Sequence, residues 1–84
     1  MNTFIVALRT DNAAFEDRPH EEVARILREL ADDVLMAGGL RAGHSGYLSD
    51  INGNTVGRWD AGEEDHFRRL FKLLDEAIAA RREG

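Results

Sequence analysis

Apolar side chains recur along this 84-residue chain with two different spacings. Residues 3–10 alternate with a period of two, and both faces of the segment are largely apolar, which predicts a strand that is central or covered. Residues 23–34 and 67–78 carry apolar side chains three and four positions apart, which predicts two amphipathic helices. The apolar stripes are Val23, Ile26, Leu27, Leu30 and Val34 in the first helix, and Phe67, Leu70, Phe71, Leu74, Ala77 and Ile78 in the second.

Proline and glycine mark the ends of the first helix. Pro19 has the fixed φ that suits a first helical turn, so the N-terminal cap falls on Asp17 or Arg18. Gly38-Gly39 ends the helix, because glycine readily adopts the left-handed conformation that follows a helix. The polar segment before the helix predicts a turn, with Phe15 folding back onto the core.

Between the helices, Asn52-Gly53 predicts a β-hairpin. Asn-Gly is the strongest short-range hairpin signal, because a type I′ turn needs positive φ at both central residues. A two-residue loop places Tyr47 opposite Arg58, whereas a three-residue loop with a bulge places Tyr47 opposite Trp59. The sequence leaves both registers open.

The second helix is expected to begin at residues 60–63. The sequence Asp-Ala-Gly-Glu matches a capping box in which Asp replaces the usual Ser or Thr. The helix should run to about residue 82, which places Arg81 and Arg82 at the negative end of its dipole.

These elements predict a single α+β domain over residues 1–84, in the order β-α-β-β-α. Two helices with one apolar stripe each favour a three-stranded sheet with both helices packed on one face. A right-handed crossover through the first helix places the first strand parallel to one hairpin strand. The uncovered face then shows some of Ile5, Ala7, Tyr47 and Trp59, which suggests a partner or homodimer interface.

The formal net charge of −5 is unevenly distributed. Residues 1–65 contain thirteen acidic and six basic side chains, whereas residues 66–84 contain three acidic and five basic ones. An acidic surface repels phosphates, so direct nucleic-acid binding is disfavoured and a basic protein partner is favoured. No apolar run reaches the roughly 20 residues that span a bilayer. With no cysteine and no leader-like start, we expect a cytoplasmic protein without membrane contact.

No motif predicts catalysis, a cofactor or a metal. His20, His44 and His66 form no ligand pair on one helical face. Residues 50–54 resemble an EF-hand loop only superficially, because Gly53 comes too early and the closing glutamate is missing. We therefore expect a non-enzymatic protein.

Acidic side chains are concentrated at the two expected helix starts. They suit the positive ends of the helix dipoles, which explains them as a solvated surface. Alternatively they form an acidic face that docks onto an Arg/Lys-rich surface, and both helix starts could present it at one end of the sheet. The predicted partner-binding residues are Asp11, Glu16, Asp17, Glu21, Glu22, Tyr47, Trp59, Asp60, Glu63, Glu64 and Asp65.

Three stretches resemble small proteins of phages, prophages and other mobile elements. They are residues 10–17 (TDNAAFED), 22–32 (EVARILRELAD) and 50–57 (DINGNTVG). The resemblance covers roughly residues 3–59 and leaves the terminal helix as an addition. Small acidic proteins of that origin include anti-CRISPR proteins, which block RNA-guided surveillance complexes by occupying basic DNA-binding surface. The resemblance implies an interaction protein in the cytoplasm of a bacterial host, and it supplies no catalytic residues.

Two hypotheses about function follow. In the first, the acidic groups imitate phosphate charge and bind a basic nucleic-acid-binding site of a CRISPR effector complex. In the alternative, the chain is a structural or regulatory homodimer without such mimicry. That dimer pairs through the exposed sheet face or through the edge of the first strand.

Overall fold

The computed structural model describes the backbone of residues 1–83 and the side chains of residues 1–80. Its helices and strands are β1 (Thr3–Leu8), α1 (Pro19–Met36), β2 (Ser45–Ser49), β3 (Thr55–Gly62) and α2 (Arg68–Glu83). Short 3-10 turns at Ala13–Phe15 and Glu64–Phe67 precede the two helices. The predicted α+β class and β-α-β-β-α order are confirmed. The predicted placement of the Arg81 and Arg82 side chains lies outside the described residues.

The three strands form one antiparallel sheet in the order β1-β3-β2. Both β1 and β2 pair with β3, so they run parallel to each other, as a crossover through α1 predicts. They are not neighbours, because β3 lies between them. The strand that the sequence predicted to be central or covered, β1, is therefore an edge strand.

One sheet face packs against α1 and forms the core. Val6 of β1 lies opposite Trp59 of β3, and both side chains pack against the buried cluster. Phe15 folds back onto this cluster, as predicted, and Ile26 of α1 is only 1% exposed. The buried apolar cluster consists of Phe15, Ile26, Leu30, Leu48 and Val56.

Proline and glycine bound α1 as expected. Pro19 opens the helix after Arg18, which is the cap residue but makes no capping hydrogen bond with its side chain. The helix ends at Met36 with Ala37 as its C-terminal cap residue, and Gly38 follows with a φ of 73°. This left-handed conformation is one that only glycine adopts without strain.

The hairpin turns differently from the predicted type I′ turn. Among the described residues, no residue other than glycine has positive φ, so Asn52 cannot take its place in such a turn, while Gly53 has a φ of 84°. The Gly53 amide donates to the Asp50 carbonyl at 3.0 Å, and the Asp50 amide donates to the Asn54 carbonyl at 2.9 Å. The loop thus contains three residues closed by a left-handed glycine.

The register of the hairpin is nevertheless that of the two-residue alternative. Tyr47 lies opposite Arg58 and Gly46 lies opposite Trp59. An irregularity between Leu48 and Ser49 restores this pairing after the longer loop. In a regular hairpin the loop length determines the strand register. Here a three-residue loop occurs with the register expected for a two-residue loop, because the irregularity shifts the pairing by one residue.

The predicted capping box at residues 60–63 is wrong. Asp60 lies in β3, where it pairs with Ile5 and with Ser45. The helical segment begins only at Glu64, and its cap residue Glu63 makes no capping hydrogen bond with its side chain. Pairing on both sides favours the strand over an isolated helix cap.

The two helices do not pack side by side on one sheet face. α1 lies on the core face, but the apolar side chains of α2 stay largely exposed and do not join the buried cluster. The radius of gyration is 14.8 Å, compared with about 12 Å for a compact chain of this length. The second helix therefore projects from the sheet instead of covering it.

Candidate interaction surfaces

A buried carboxylate, Asp50, organises the tip of the hairpin. Its Oδ1 accepts hydrogen bonds from the amides of Asn52 and Asn54, both at 2.9 Å. Its Oδ2 accepts from the side-chain amides of Asn12 at 2.7 Å and Asn54 at 3.1 Å. Asn12 also accepts from the amide of Ala14 and caps the first 3-10 turn. Asp50 thereby fixes this turn against the hairpin.

A second buried carboxylate, Glu22, ties α1 to the same tip. Its Oε2 accepts from the amide of Ile51 at 2.9 Å, and its Oε1 accepts from the guanidinium of Arg25. Arg25 in turn donates to the carbonyl of Ser49 at 3.2 Å. Glu22 was predicted to bind a partner, but its oxygens are used inside the protein.

Both buried carboxylates are held in their charged forms. The hydrogen bond from Arg25 lowers the pKa of Glu22, and this effect outweighs its desolvation. Desolvation would raise the pKa of Asp50, but hydrogen bonds from Asn54, Asn12 and Asn52 together lower it. We call Asn12, Glu22, Arg25 and Asp50 the carboxylate hub.

Beside the hub lies an exposed acidic surface, which we call the acidic turn and define as Asp11, Glu16, Asp17 and Glu21. All four side chains are exposed. Glu21 pairs with Arg18 at 3.4 Å. Among the side chains that the structure describes, the carboxylates of Asp11, Glu16 and Asp17 take part in no ion pair. Asp17 and Glu21 line one open depression together with hub residues Glu22 and Arg25.

The second group of predicted acids lies at the other end of the sheet. Leu8 and Gly57 pair at the end that leads into the acidic turn, whereas Thr3 and Gly62 pair at the end that leads into α2. Gly57 and Gly62 are five positions apart in β3, so the two ends are separated by about 17 Å. The two expected helix starts therefore do not form one acidic face.

Several acids of this second group are already paired. Asp60 accepts from the guanidinium of Arg58 at distances of 2.9 and 3.0 Å, which raises the pKa of Arg58. Asp65 pairs with Arg68 at 3.3 Å. Glu63 and Glu64 are exposed beside them. The basic side chains reduce the acidic character of this end.

The open sheet face differs from the predicted one in a single aromatic residue. Trp59 points to the core face, where it stacks on Phe4 with ring centroids 5.5 Å apart and covers Gly46. Tyr47 does lie on the open face and is 71% exposed. The guanidinium of Arg58 lies 5.6 Å from the centre of the Tyr47 ring. The open face is thus mixed in charge.

A shallow pocket of about 350 Å³ lies where the open face meets the start of α2. It contains His44 and His66, with Asp60 and Ser45 beside them. Within the described residues, no group of three or more His, Asp or Glu side chains is placed to hold a metal ion.

The sequence did not identify Asp50 or Asn12 as important residues. By sequence, Asp50 belongs to a loop that superficially resembles a calcium site, and Asn12 belongs to the polar turn before the first helix. The dense Asx content of residues 50–54 was a usable signal, because Asp and Asn side chains accept hydrogen bonds from amides two positions ahead. The contact between Asn12 and Asp50 spans 38 positions and has no local signal.

No helix in the described part of the chain is long and apolar enough to cross a membrane. Searches of protein-family models, curated proteins and solved structures found no match to this chain.

Proposed function

We propose that this chain is a non-enzymatic interaction protein whose acidic turn docks onto a basic surface of another protein. The observation that supports this proposal is the exposure of Asp11, Glu16 and Asp17 beside a network that fixes their backbone. Carboxylates on a fixed backbone lose less conformational entropy on binding than carboxylates on a mobile loop. Their charge would attract Arg/Lys-rich surface and speed its encounter.

The resemblance to small phage proteins suggests a specific partner. In this form of the proposal, the protein is an anti-CRISPR inhibitor that binds the DNA-binding channel of a CRISPR effector complex. The acidic turn would occupy positions that DNA phosphates otherwise take, and so exclude DNA from the channel. The proposal needs no catalytic residue in this chain.

The positions of the acidic side chains reduce the set of predicted partner-binding residues. Glu22 accepts from Arg25 and from the Ile51 amide, and Asp60 accepts from Arg58. Trp59 lies on the core face. The acids at the start of α2 lie at the far end of the sheet and have basic neighbours. The proposed contact surface is therefore the acidic turn, without the other predicted residues.

The test is a pull-down of type I CRISPR effector subunits at low ionic strength with the full chain as bait. The triple variant Asp11→Asn, Glu16→Gln, Asp17→Asn removes three charges and leaves the hub intact. We expect at least about tenfold weaker retention of the bound subunit. We also expect wild-type binding to weaken with added salt and to compete with DNA.

A matched control removes exposed acids from the other end of the sheet. The variant Glu63→Gln, Glu64→Gln, Asp65→Asn also loses three charges and should bind nearly as well as the wild type. Equal weakening by both variants would show that net charge matters and the acidic turn does not. Retention of no effector subunit at low ionic strength would remove the basis for the anti-CRISPR form of the proposal.

A further inference from the structure

An apolar groove of about 590 Å³ runs between β1 and α1 on the core face of the sheet. It opens at the sheet edge, because β1 has a neighbouring strand on one side only. Leu27 and Leu35 on its helical wall are 44% and 79% exposed. The groove is lined by Phe4, Val6, Leu27, Leu30, Ala31, Val34, Leu35 and Leu40.

The groove exists because one helix is too narrow to cover three strands. α1 lies closest to β2, the edge strand opposite to β1. A helix is about 10 Å wide and strands lie about 4.8 Å apart, so the β1 side of the face stays partly open. This open part is where a second helix would lie if both helices packed on one face.

The second helix of the chain carries an apolar stripe that matches such a position. Leu70, Leu74 and Ile78 follow one another at intervals of four and are 43–49% exposed. Phe71 lies beside them on the same helical side. Phe71 and Phe67, the last residue of the preceding 3-10 turn, are both partly buried. An amphipathic stripe of this kind is normally covered in a folded protein.

The start of α2 directs the helix away from the groove of its own chain. Gly62 lies on the same open face of the sheet as Asp60. The Phe67 ring packs directly on Gly62, since a Cβ added to this glycine would lie only 3.1 Å from the ring. The amide of Glu64 donates to Asn2 Oδ1 at 2.7 Å. A helix that starts over the open face cannot reach the core face of the same sheet without breaking these contacts.

We propose that two copies of the chain form a dimer in which α2 of each copy lies in the groove between β1 and α1 of the other. The exchange would give each sheet two helices on its core face. It would leave the packing of Phe67 on Gly62 and the bond from Glu64 to Asn2 unchanged. The proposal does not depend on the acidic turn.

Length and charge support a second copy as the occupant. The part of α1 that lines the groove, from Leu27 to Leu35, spans about 12 Å, and the exposed stripe of α2 from Leu70 to Ile78 spans about the same length, so the stripe matches the groove wall. Residues 1–65 carry thirteen acids against six bases, and residues 66–84 carry three against five. A basic helix and an acidic body attract each other.

Reciprocal exchange also suits the size of the chain. A two-fold dimer repeats each contact, so two helix-in-groove contacts contribute to one interface. Stable interfaces bury roughly 1,200–2,000 Å² in total. One 16-residue helix face is a small contact, whereas two such contacts bring a small protein closer to this range.

The test measures the mass of the full chain by sedimentation equilibrium over a range of concentrations. One chain has a mass of 9.4 kDa, and we expect twice that value for the wild type. Leu74→Glu places a charge on the apolar stripe of α2, and Leu27→Glu places a charge in the groove. Each substitution disrupts both copies of the contact, so each variant alone should be monomeric. Circular dichroism establishes that each variant is folded.

Mixing the two broken variants distinguishes exchange from other dimers. The Leu27→Glu chain keeps an intact α2, and the Leu74→Glu chain keeps an intact groove. The mixture should therefore form a one-to-one complex through one intact contact, which is weaker than the wild-type dimer but stronger than the self-association of either variant. Tyr47→Ser, on the open face, should leave the wild-type dimer intact.

Three results would overturn the proposal. A wild type that stays monomeric at every concentration would show that α2 does not dock on a second copy. A dimer that survives Leu27→Glu would indicate pairing through α2 alone, and a dimer lost in Tyr47→Ser would indicate pairing through the open face. If a glutamate variant fails to fold, Leu27→Ala and Leu74→Ala should each weaken self-association by at least about tenfold.

Discussion

The two helices have similar sequence patterns and very different surroundings. Both carry apolar side chains at intervals of three and four, and both follow short 3-10 turns. The stripe of α1 contributes Ile26 and Leu30 to the core, whereas Leu70 and Leu74 of α2 are about half exposed. A hydrophobic stripe thus predicts that one side of a helix is buried, but it does not predict which part of the structure covers that side.

The difference extends to the polar contacts at each helix start. α1 is connected to the hairpin through Glu22, which binds both Arg25 and the amide of Ile51. The 3-10 turn before α2 is held by a hydrogen bond from Glu64 to Asn2, by an exposed ion pair of Glu63 with the Met1 amine and by Phe67 packing on Gly62. We therefore expect substitutions near α1 to change global stability and those in α2 to change mainly local order.

The largest expected effect comes from the core side of α1. Ile26→Ala removes three carbons from a fully buried site and should lower the free energy of unfolding by about 2–5 kcal/mol, measured by urea denaturation. The matched variant Leu73→Ala, on the flank of α2, should change it by less than about 0.5 kcal/mol. If the wild-type margin is too small for Ile26→Ala, Ile26→Val should still cost about 0.5–1.5 kcal/mol. Similar losses at residues 26 and 73 would contradict the contrast between the helices.

Whether the sequence predicts a feature of this contrast depends on how far apart along the chain the contacting residues lie. The bounds of α1 follow from Pro19 and from the glycine after its last turn, because these residues act through their own backbone conformations. The strand continuing through Asp60 was missed, because its pairing with β1 outweighs a local capping pattern. Local sequence patterns therefore predict the presence of a helix or strand better than its first and last residues.

The candidate surfaces were harder to predict for the same reason. An exposed acid such as Asp17 and a buried acid such as Glu22 have the same local sequence character. What separates them is the Ile51 amide, which lies 29 positions from Glu22 along the chain. The sequence offers Trp59 as one of four candidates for the open face, and only the register with Gly46 places it on the core face.

An intermediate effect is expected from the carboxylate hub. Asp50→Asn keeps the shape of the side chain but removes the charge that four hydrogen bonds stabilise. We expect the Tm at neutral pH to fall by about 5 °C. Glu64→Gln is the matched control, because this acid near α2 is exposed and its carboxylate forms no ion pair among the described side chains, and it should leave the Tm nearly unchanged.

The pH dependence of stability should separate the same two variants. The pKa values of Asp50 and Glu22 lie below their ordinary values of 3.8 and 4.5, so folding favours their charged forms. Their stabilising contribution is complete above about pH 4.5 and is lost as the pH falls through the lower folded-state values. The Tm difference between wild type and Asp50→Asn should therefore shrink below about pH 4. A difference that stays constant or grows on acidification would contradict this role of Asp50.

The smallest effect is expected at the start of α2. Asn2→Ala removes the acceptor for the Glu64 amide, and loss of such a capping bond costs about 0.5–1 kcal/mol. Because α2 is not part of the core, the loss should appear as faster hydrogen exchange at Glu64 and in the first turn of α2. Exchange in α1 and in the paired residues of β3 should stay unchanged. Asn2→Asp keeps an acceptor at the same position, so it should restore the slow exchange, and faster exchange throughout the protein in Asn2→Ala would show instead that the start of α2 is coupled to the core.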